Sequence, residues 1–396
     1  MKYRISDVAS INESSISKST YIGSVNYVDT SSVISGNFNG YRHYPSISEA
    51  PSRARRLVSK EDTVISTVRP NMKHVGFISS KSDCIYSTGF AVVSPKKDKI
   101  DPYYLYLFLS SNRVTEVLQS IGETSTSTYP SVKPSDIGNL VIDMPPLDEQ
   151  HLIANRIRLI DEKKNQNSQI NANLTNQIKI TSNSFFSYFE ASNGDIPKNW
   201  HYKKLTDIAN IDTGYSYKSS ELKPNNMAMA TIKNFNRVGG FNIEGFKEIR
   251  PNKVVKNEKY AKKFDILVAH TDLTQNADII GNAEPILDIS DYKNVIFSMD
   301  LVKVTSKDNL ISQFLLSLIL QGEALKAHCL GYINGTTVLH LSKKALKEFE
   351  IPLPDNLHEL DNINHFAQKS YLIMANNLTE NRYLQSVKEE LLKKYF

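Results

Sequence analysis

Few residues in this chain of 396 combine the type and the spacing needed for chemistry. Asp101-Pro102-Tyr103-Tyr104 is the nearest approach to a catalytic loop, yet an Asp followed by Pro is equally a good helix start. The carboxylate pairs Glu61-Asp62, Asp161-Glu162 and Glu389-Glu390 lie at a strand start or in charge-balanced helical stretches, and read as solvated surface. The nine histidines show no i, i+4 pairing on a helix, so no metal site is expected. Cys84 and Cys329 have no ligand spacing and read as incidental thiols of a reducing cytosol. Walker A, G-x-S-x-G, H-E-x-x-H and Rossmann glycine patterns do not occur in the sequence.

The positive signal points to nucleic acid. Arg42, His43 and Tyr44 precede Arg53, Arg55, Arg56 and Lys60, with Arg69 and Lys73 beyond, so cations are interleaved with an aromatic. Further along, Lys233, Asn234, Asn236 and Arg237 mix cations with amides before Gly239-Gly240, and Lys262 and Lys263 follow. Lys and Arg neutralise phosphates, while Arg and Asn offer paired hydrogen bonds to guanine and adenine edges. Two small-polar loops add hydroxyl and amide groups: Thr126, Thr128 and Tyr129 in one, Asn334, Thr336 and Thr337 in the other. Each residue alone reads as ordinary solvated surface; occurrence at matching places in two copies is what supports DNA contact.

Those copies are the main organising feature. Tyr3-Arg4-Ile5-Ser6-Asp7-Val8-Ala9 returns as Tyr202-Lys203-Lys204-Leu205-Thr206-Asp207-Ile208-Ala209, and Leu140-Val141-Ile142-Asp143-Met144-Pro145 returns as Phe349-Glu350-Ile351-Pro352-Leu353-Pro354. The offset drifts from 200 at Asp7 to 203 at Asp62 and 209 at Pro145, so a shared scaffold carries loops of different length. Within each copy the pattern predicts strands at 62–68 and 86–93 (265–269 and 295–304 in the second). A helix at 103–121 (310–330), a polar loop and a last strand ending in proline follow. This is an α+β module, twice.

After each module the period becomes helical. Ile153, Ile157, Ile160, Leu174 and Ile178 fall on one 3-4 spaced seam, and Ile363, Phe366, Ile373, Leu384, Val387 and Leu391 on another. About 40 residues make a rod of roughly 60 Å. Asn167, Asn171, Asn377 and Glu380 interrupt the seams, and polar residues at core positions fix register and partner. That favours pairing of the two helices over two helices that each lie on their own globule. The expected division is a globule at 1–146, a helix at 147–196, a globule at 197–356 and a helix at 357–396.

Net charge is +5, and the excess lies wholly in the globules: 16 basic against 13 acidic residues in 1–146 and 21 against 18 in 197–356. The helical stretches carry 5 against 6 and 5 against 5. The longest apolar run, Phe314 to Leu320, falls short of the ~18 residues of a membrane span. With no apolar signal region at the N-terminus, the expected location is the cytoplasm.

At Met144-Pro145-Pro146-Leu147-Asp148-Glu149-Gln150, leading into the first long helix, the chain resembles the specificity subunits of type I restriction-modification systems. That family ends a target-recognition domain with Pro-Pro-Leu-x-Glu-Gln and opens the second with Pro-x-x-Trp, matched by Pro197-Lys198-Asn199-Trp200; Gly214 resembles the family's early glycine. The second copy departs from the pattern with Pro352-Leu353-Pro354-Asp355-Asn356, and the first domain starts at residue 1 without an N-terminal extension.

The resemblance implies two target-recognition domains in a pseudo-twofold arrangement, separated by an antiparallel coiled coil, each reading one half of a bipartite duplex. It implies a non-catalytic subunit that works with two adenine methyltransferase subunits, which bind S-adenosylmethionine, and with restriction subunits. The competing reading, a self-contained S-adenosylmethionine-dependent methyltransferase, rests on the likeness of Asp101-Pro102-Tyr103-Tyr104 to the Asp-Pro-Pro-Tyr loop of adenine methyltransferases. It lacks the second proline and a glycine-rich cofactor loop.

Overall fold

The computed structural model describes every residue except 18–20, 22, 35, 125–128, 238 and 308–309. The chain forms two compact units, residues 1–162 with 384–396 and residues 163–383. Each holds one globule and a stretch of both long helices.

In the first unit, Ala9–Ile11, Phe90–Pro95, Thr63–Ser66 and Val75–Phe77 form an antiparallel sheet in that order. All four residues of Thr63–Ser66 are buried, the two polar ends included, because the strand is central in its sheet. A second sheet runs Arg42–Tyr44, Val25–Val28, Ile85–Ser87, Ala54–Arg56. The outer ladder Lys2–Arg4 with Val141–Asp143 clasps the chain start to the strand before the long helix.

The second unit repeats this plan strand for strand. Ala209–Thr213, Leu301–Ser306, Ile266–Ala269 and Ala283–Pro285 form one sheet; Lys247–Glu248, Met227–Ala230, Asn294–Phe297 and Tyr260–Ala261 form another. Trp200–Lys204 pairs with Glu350–Pro354 as the clasp. Among the described residues, the sheet of Thr271–Asp272, Leu339–Leu341 and Ile333–Asn334 is matched in the first unit only by the Val68–Ser131 bridge, and the pair Val33–Ile34 with Asn37–Phe38 is matched in the second only by the Phe235–Phe241 bridge.

Two expectations need refinement. The runs at 86–93 and 295–304 are each two strands, Ile85–Ser87 with Phe90–Pro95 and Asn294–Phe297 with Leu301–Ser306, because the chain leaves one sheet there and enters the other. The helix predicted at 103–121 is Pro102–Leu109 followed by Asn112–Glu123, and its counterpart is Gln313–Leu320 followed by Glu323–Leu330. Ser111 restarts the first pair by accepting the Val114 N–H. At the same place in the second pair stands Gly322, where a Cβ would come 2.4 Å from Ser182 Oγ of the long central helix.

The long helices are Leu147–Phe186 and Asp361–Tyr395. In the first unit Ile153, Ala154 and Ile157 are buried in a core that also receives Leu391, Leu392, Tyr395 and Phe396. The Lys388 ammonium meets both oxygens of Asp161 at 2.7 Å, and Asp161 accepts from the Tyr103 hydroxyl at 2.7 Å. In the second unit Ile178 and Leu174 join a core with Ile363, Phe366, Ala367, Tyr371, Met374 and Ala375. There Asn167 meets Asn381 and Asn171 meets Asn377, so the helices run antiparallel.

Among the expected seam residues, Ile160, Leu384 and Leu391 are half-buried, whereas Ile373 and Val387 face solvent at 45% and 46% exposure. Ile373 sits a step of about 100° from Met374, which takes the inward place. Val387 precedes Lys388, whose ion pair with Asp161 occupies the contact instead.

Candidate nucleic-acid interface

In each globule the loops with the right chemistry meet at one end of the central sheet. Thr63–Ser66 and Val75–Phe77 form a hairpin whose turn carries Arg69 and Lys73, both in the left-handed region at φ 51°. Neither is glycine, so each costs about 1–3 kcal/mol and persists only if its surroundings fix it. They do. Met72 N–H reaches the Arg69 carbonyl, Lys73 N–H the Pro70 carbonyl, and Arg69 N–H the Pro130 carbonyl, all within 2.8–2.9 Å. The Val68–Ser131 bridge and the Val132 N–H to Thr67 carbonyl bond tie this turn to the polar loop after the helices.

The side chains gathered there are cations and aromatics. The Arg69 guanidinium stacks over the Tyr129 ring at 3.9 Å, a flat cationic surface of the kind that meets bases and phosphates. Lys73 Nζ donates to Asn112 Oδ1 at 2.5 Å. Met72 and Tyr129 are 51% and 52% exposed beside them. Thr126 and Thr128 lie outside the described residues.

The other cations of this unit lie elsewhere. Arg42–Tyr44 and Ala54–Arg56 are the two opposite edges of the second sheet. Arg42 and His43 are exposed, the latter hydrogen-bonded to Asn26, and Tyr44 packs edge-on against Tyr27. Arg53 and Arg55 are exposed, while Arg56 is half-buried and its Nε has no hydrogen bond among the described residues. Lys60 lies before Thr63–Ser66, at the end of that strand away from Arg69.

The second unit builds the same corner with different chemistry. The hairpin turn between Ile266–Ala269 and Ala283–Pro285 is five residues longer than its counterpart, counted from the paired ends Thr63–Phe77 and Ile266–Pro285. Asp272 organises it, accepting N–H groups of Thr274, Ile279 and Ile280 and the Thr274 hydroxyl. Burial pushes its carboxyl up, but these bonds outweigh burial and hold it below the usual range. Lys326 Nζ caps the turn from beneath, donating to the Ala277, Asp278 and Ile280 carbonyls. Gln275 Nε2 donates to the Thr336 and Thr337 carbonyls at 2.7 and 3.2 Å, and Arg237 pairs with Asp278 at 3.9 Å.

Asn334, Thr336, Thr337, Asn236, Arg237 and Lys233 are exposed at these loops. Asn234 is not: its side chain accepts the Thr231 N–H and donates to the Asn242 carbonyl, so it shapes the loop from inside. Lys262 and Lys263 flank the far end of Ile266–Ala269, with Lys263 over the Phe264 ring. Sequence reasoning did not single out Met72, Leu273 (67% exposed at the turn tip) or Gln275. The jump in repeat offset across this hairpin was the signal that could have located them.

Asp101 accepts the Tyr104 N–H at 2.8 Å and a hydrogen bond from the His151 ring, and Tyr103 is committed to Asp161. The Asp-Pro-Tyr-Tyr stretch is thus a helix cap and a strut for the long helix. Among the described residues no three His, Cys, Asp or Glu side chains cluster as metal ligands, and no helix is long and apolar enough to cross a membrane.

A duplicated α+β domain with a long helix after each copy defines a family, and the sequence matches it. The type I restriction modification DNA specificity domain matches residues 1–179 and 197–381, and the chain belongs to that family. The type I restriction enzyme HindI specificity subunit of Haemophilus influenzae is 27% identical over 165 residues, 41% of this chain and 36% of that protein. The MjaIX specificity subunit of Methanocaldococcus jannaschii is 27% identical over 193 residues, 46% of this chain and 44% of that protein. The chain therefore spans less than half the length of these two curated relatives. In fold it is similar to the type I restriction-modification S subunit from M. genitalium, with a TM-score of 0.59 at 16% identity over 100% of this chain and 96% of that one.

Proposed function

We propose that this chain is the specificity subunit of a type I restriction-modification complex and itself performs no chemistry. Residues 1–146 and 197–356 act as target-recognition domains, each reading one half of a bipartite duplex, and the helices of 147–196 and 357–396 set the unread gap. Two adenine methyltransferase subunits, which bring S-adenosylmethionine, and restriction subunits act where this chain directs them, in the cytoplasm.

One observation carries this reading. Both units lock the hairpin turn to the post-helix loop by strand pairing, at Val68–Ser131 and at Thr271–His340, while the side chains on top differ. A constant frame with a variable face suits two readers of two unlike half-sites.

The test is reconstitution with a methyltransferase subunit and footprinting on a random-sequence duplex library. A bipartite footprint whose affinity falls steeply with salt supports the reading. Salt-insensitive binding, or no sequence preference in the complex, would overturn it.

A further inference from the structure

The second unit contains a buried carboxylate that its exposed loops do not account for. Glu284, on Ala283–Pro285, is only 3% exposed, and both oxygens accept hydrogen bonds. Oε1 takes the Gly240 N–H at 2.7 Å, and Oε2 takes Gln321 Nε2 at 2.7 Å. Gln321 Oε1 in turn accepts from the Tyr371 hydroxyl at 2.6 Å. One end of this hydrogen-bond chain is the turn beside Lys233, Asn236 and Arg237, where Gly239 and Gly240 both have left-handed backbone (φ 95° and 101°). The other end is the C-terminal helix. Lys179 of the central helix stands close by, its Nζ 2.3 Å from where a Cβ on Gly239 would lie.

The first unit holds its corresponding turn without a charge. Gly76 pairs opposite Val64 as Glu284 pairs opposite Leu267, so the two positions are equivalent in the hairpins. A Cβ at Gly76 would come 2.6 Å from the Phe38 ring and 2.8 Å from Val33, so apolar side chains rest directly on its bare backbone. There the Gly36 N–H is held by the Val75 carbonyl at 2.9 Å, a group that does not titrate.

We propose that Glu284 is a positioning residue for DNA reading by the second unit: its carboxylate fixes the Gly239-Gly240 turn, and with it the presentation of Lys233, Asn236 and Arg237, by a device the first unit lacks. The proposal rests on the specificity reading above. Burial raises the Glu284 carboxyl to about 7, opposed by the Gly240 N–H, Lys179 and Gln321, which favour the ionised form. Burial and the nearby Glu284 keep the Tyr371 phenol neutral well beyond its usual range. Protonation at Oε2 replaces the acceptor that faces the Gln321 N–H with a donor, which breaks the link toward Tyr371 and loosens the hold on Gly240. If the turn is held only by the ionised form, its population falls roughly tenfold from pH 8 to pH 6.

Amide hydrogen exchange on the full chain, corrected for intrinsic rates, tests this without DNA. Protection at the Gly240 amide should fall roughly tenfold from pH 8 to pH 6, while protection at the Gly36 amide stays level. Glu284→Gln, which like the protonated carboxyl offers Gly240 a neutral acceptor and turns a donor toward Gln321, should flatten the profile at its pH 6 level. Equal profiles at the two glycines, or a wild-type profile in Glu284→Gln, would overturn the proposal; the wild-type comparison stands even if the variant fails to fold. Selection from a random duplex pool by the reconstituted complex adds a second readout. Base preference fading at pH 6 in one half-site alone supports the proposal, and equal fading in both overturns it. No preference even at pH 8 overturns the specificity reading instead, and leaves the exchange result to decide the role of Glu284.

Discussion

Asn167 of the central helix donates its side-chain amide to Asn381 of the C-terminal helix at 2.9 Å and to Glu380 at 2.7 Å, although Asn167 is fully buried. One turn along, Asn377 donates to Asn171 at 2.8 Å and Asn171 to the Met374 carbonyl at 3.1 Å. Asn167 Oδ1 has no hydrogen-bond partner among the described residues. A layer so placed is costly to bury, and its cross-helix hydrogen bonds form in one alignment of the helices, which makes it a device for register.

Replacing Asn167 and Asn381 together by leucine should therefore raise the denaturation midpoint while loosening register. Cysteine pairs placed one heptad out of alignment should crosslink in the double variant and fail to crosslink in the wild type. Asn167→Ala alone should cost about 1–3 kcal/mol, because it leaves Asn381 Oδ1 without its donor inside the helix pair. A leucine pair that keeps a single crosslinking register would remove the role assigned to this layer.

In the first unit the comparable contact is ionic. Lys388 and Asp161 are 17% and 28% exposed, and Asp161 also takes the Tyr103 hydroxyl, whose pKa is driven far up by burial and by Asp161. Lys388→Ala leaves a partly buried carboxylate with a single neutral donor and should cost about 1–3 kcal/mol. Adding Asp161→Asn should recover part of that loss. A double-mutant cycle in urea checks it, and additive losses would show the two residues to be uncoupled.

Arg69 and Lys60 make a paired test of the reading corner, since they flank opposite ends of the same strand. Arg69→Ala removes the cation stacked on Tyr129 and should weaken duplex binding by the reconstituted complex by about 1–3 kcal/mol, relaxing preference in one half-site. Lys60→Ala should leave base preference intact and change at most the salt slope. Selection at two salt concentrations distinguishes them; equal effects would dissolve the corner as a reader.

Repetition was legible in the sequence because it constrains buried positions: Ile5 with Leu205 and Ile142 with Ile351 are buried in both copies. The cores hidden behind the loops were less so. A strand-like run such as 86–93 gives no sign of changing sheets, since both halves are buried and periodicity does not say against which partner. Asn234 looked like a base reader because its chemistry suits one, and only its neighbours Thr231 and Asn242 show that its hydrogen bonds are spent on the backbone. The turns carrying Arg69 and Leu273 were obscure for another reason. Their proximity to Tyr129 and Thr336 depends on the pairing of Val68 with Ser131 and of Thr271 with His340, which local pattern does not encode.

The stability of the second unit should depend on pH in the direction opposite to the order of its loop. Burial raises Glu284 from 4.5 to about 7, so between these values the folded chain keeps a proton that the unfolded chain releases. Its contribution to stability is fully present below about pH 4.5 and is lost as pH rises through about 7, a change of a few kcal/mol. Asp265, also raised by burial, acts with the same sign and His270, lowered by burial, with the opposite one. The wild type must therefore be compared with Glu284→Gln, which keeps both and lacks the Glu284 titration. Relative to wild type, the variant should gain stability from pH 5 to pH 8 in chemical denaturation, because it escapes burying a charge. Protection at Gly240 in the wild type should rise over the same interval. A fold that strengthens while the turn loosens on acidification is what a buried carboxylate serving as an acceptor produces; if the two rise and fall together, Glu284 is a packing residue and the turn is held by other groups.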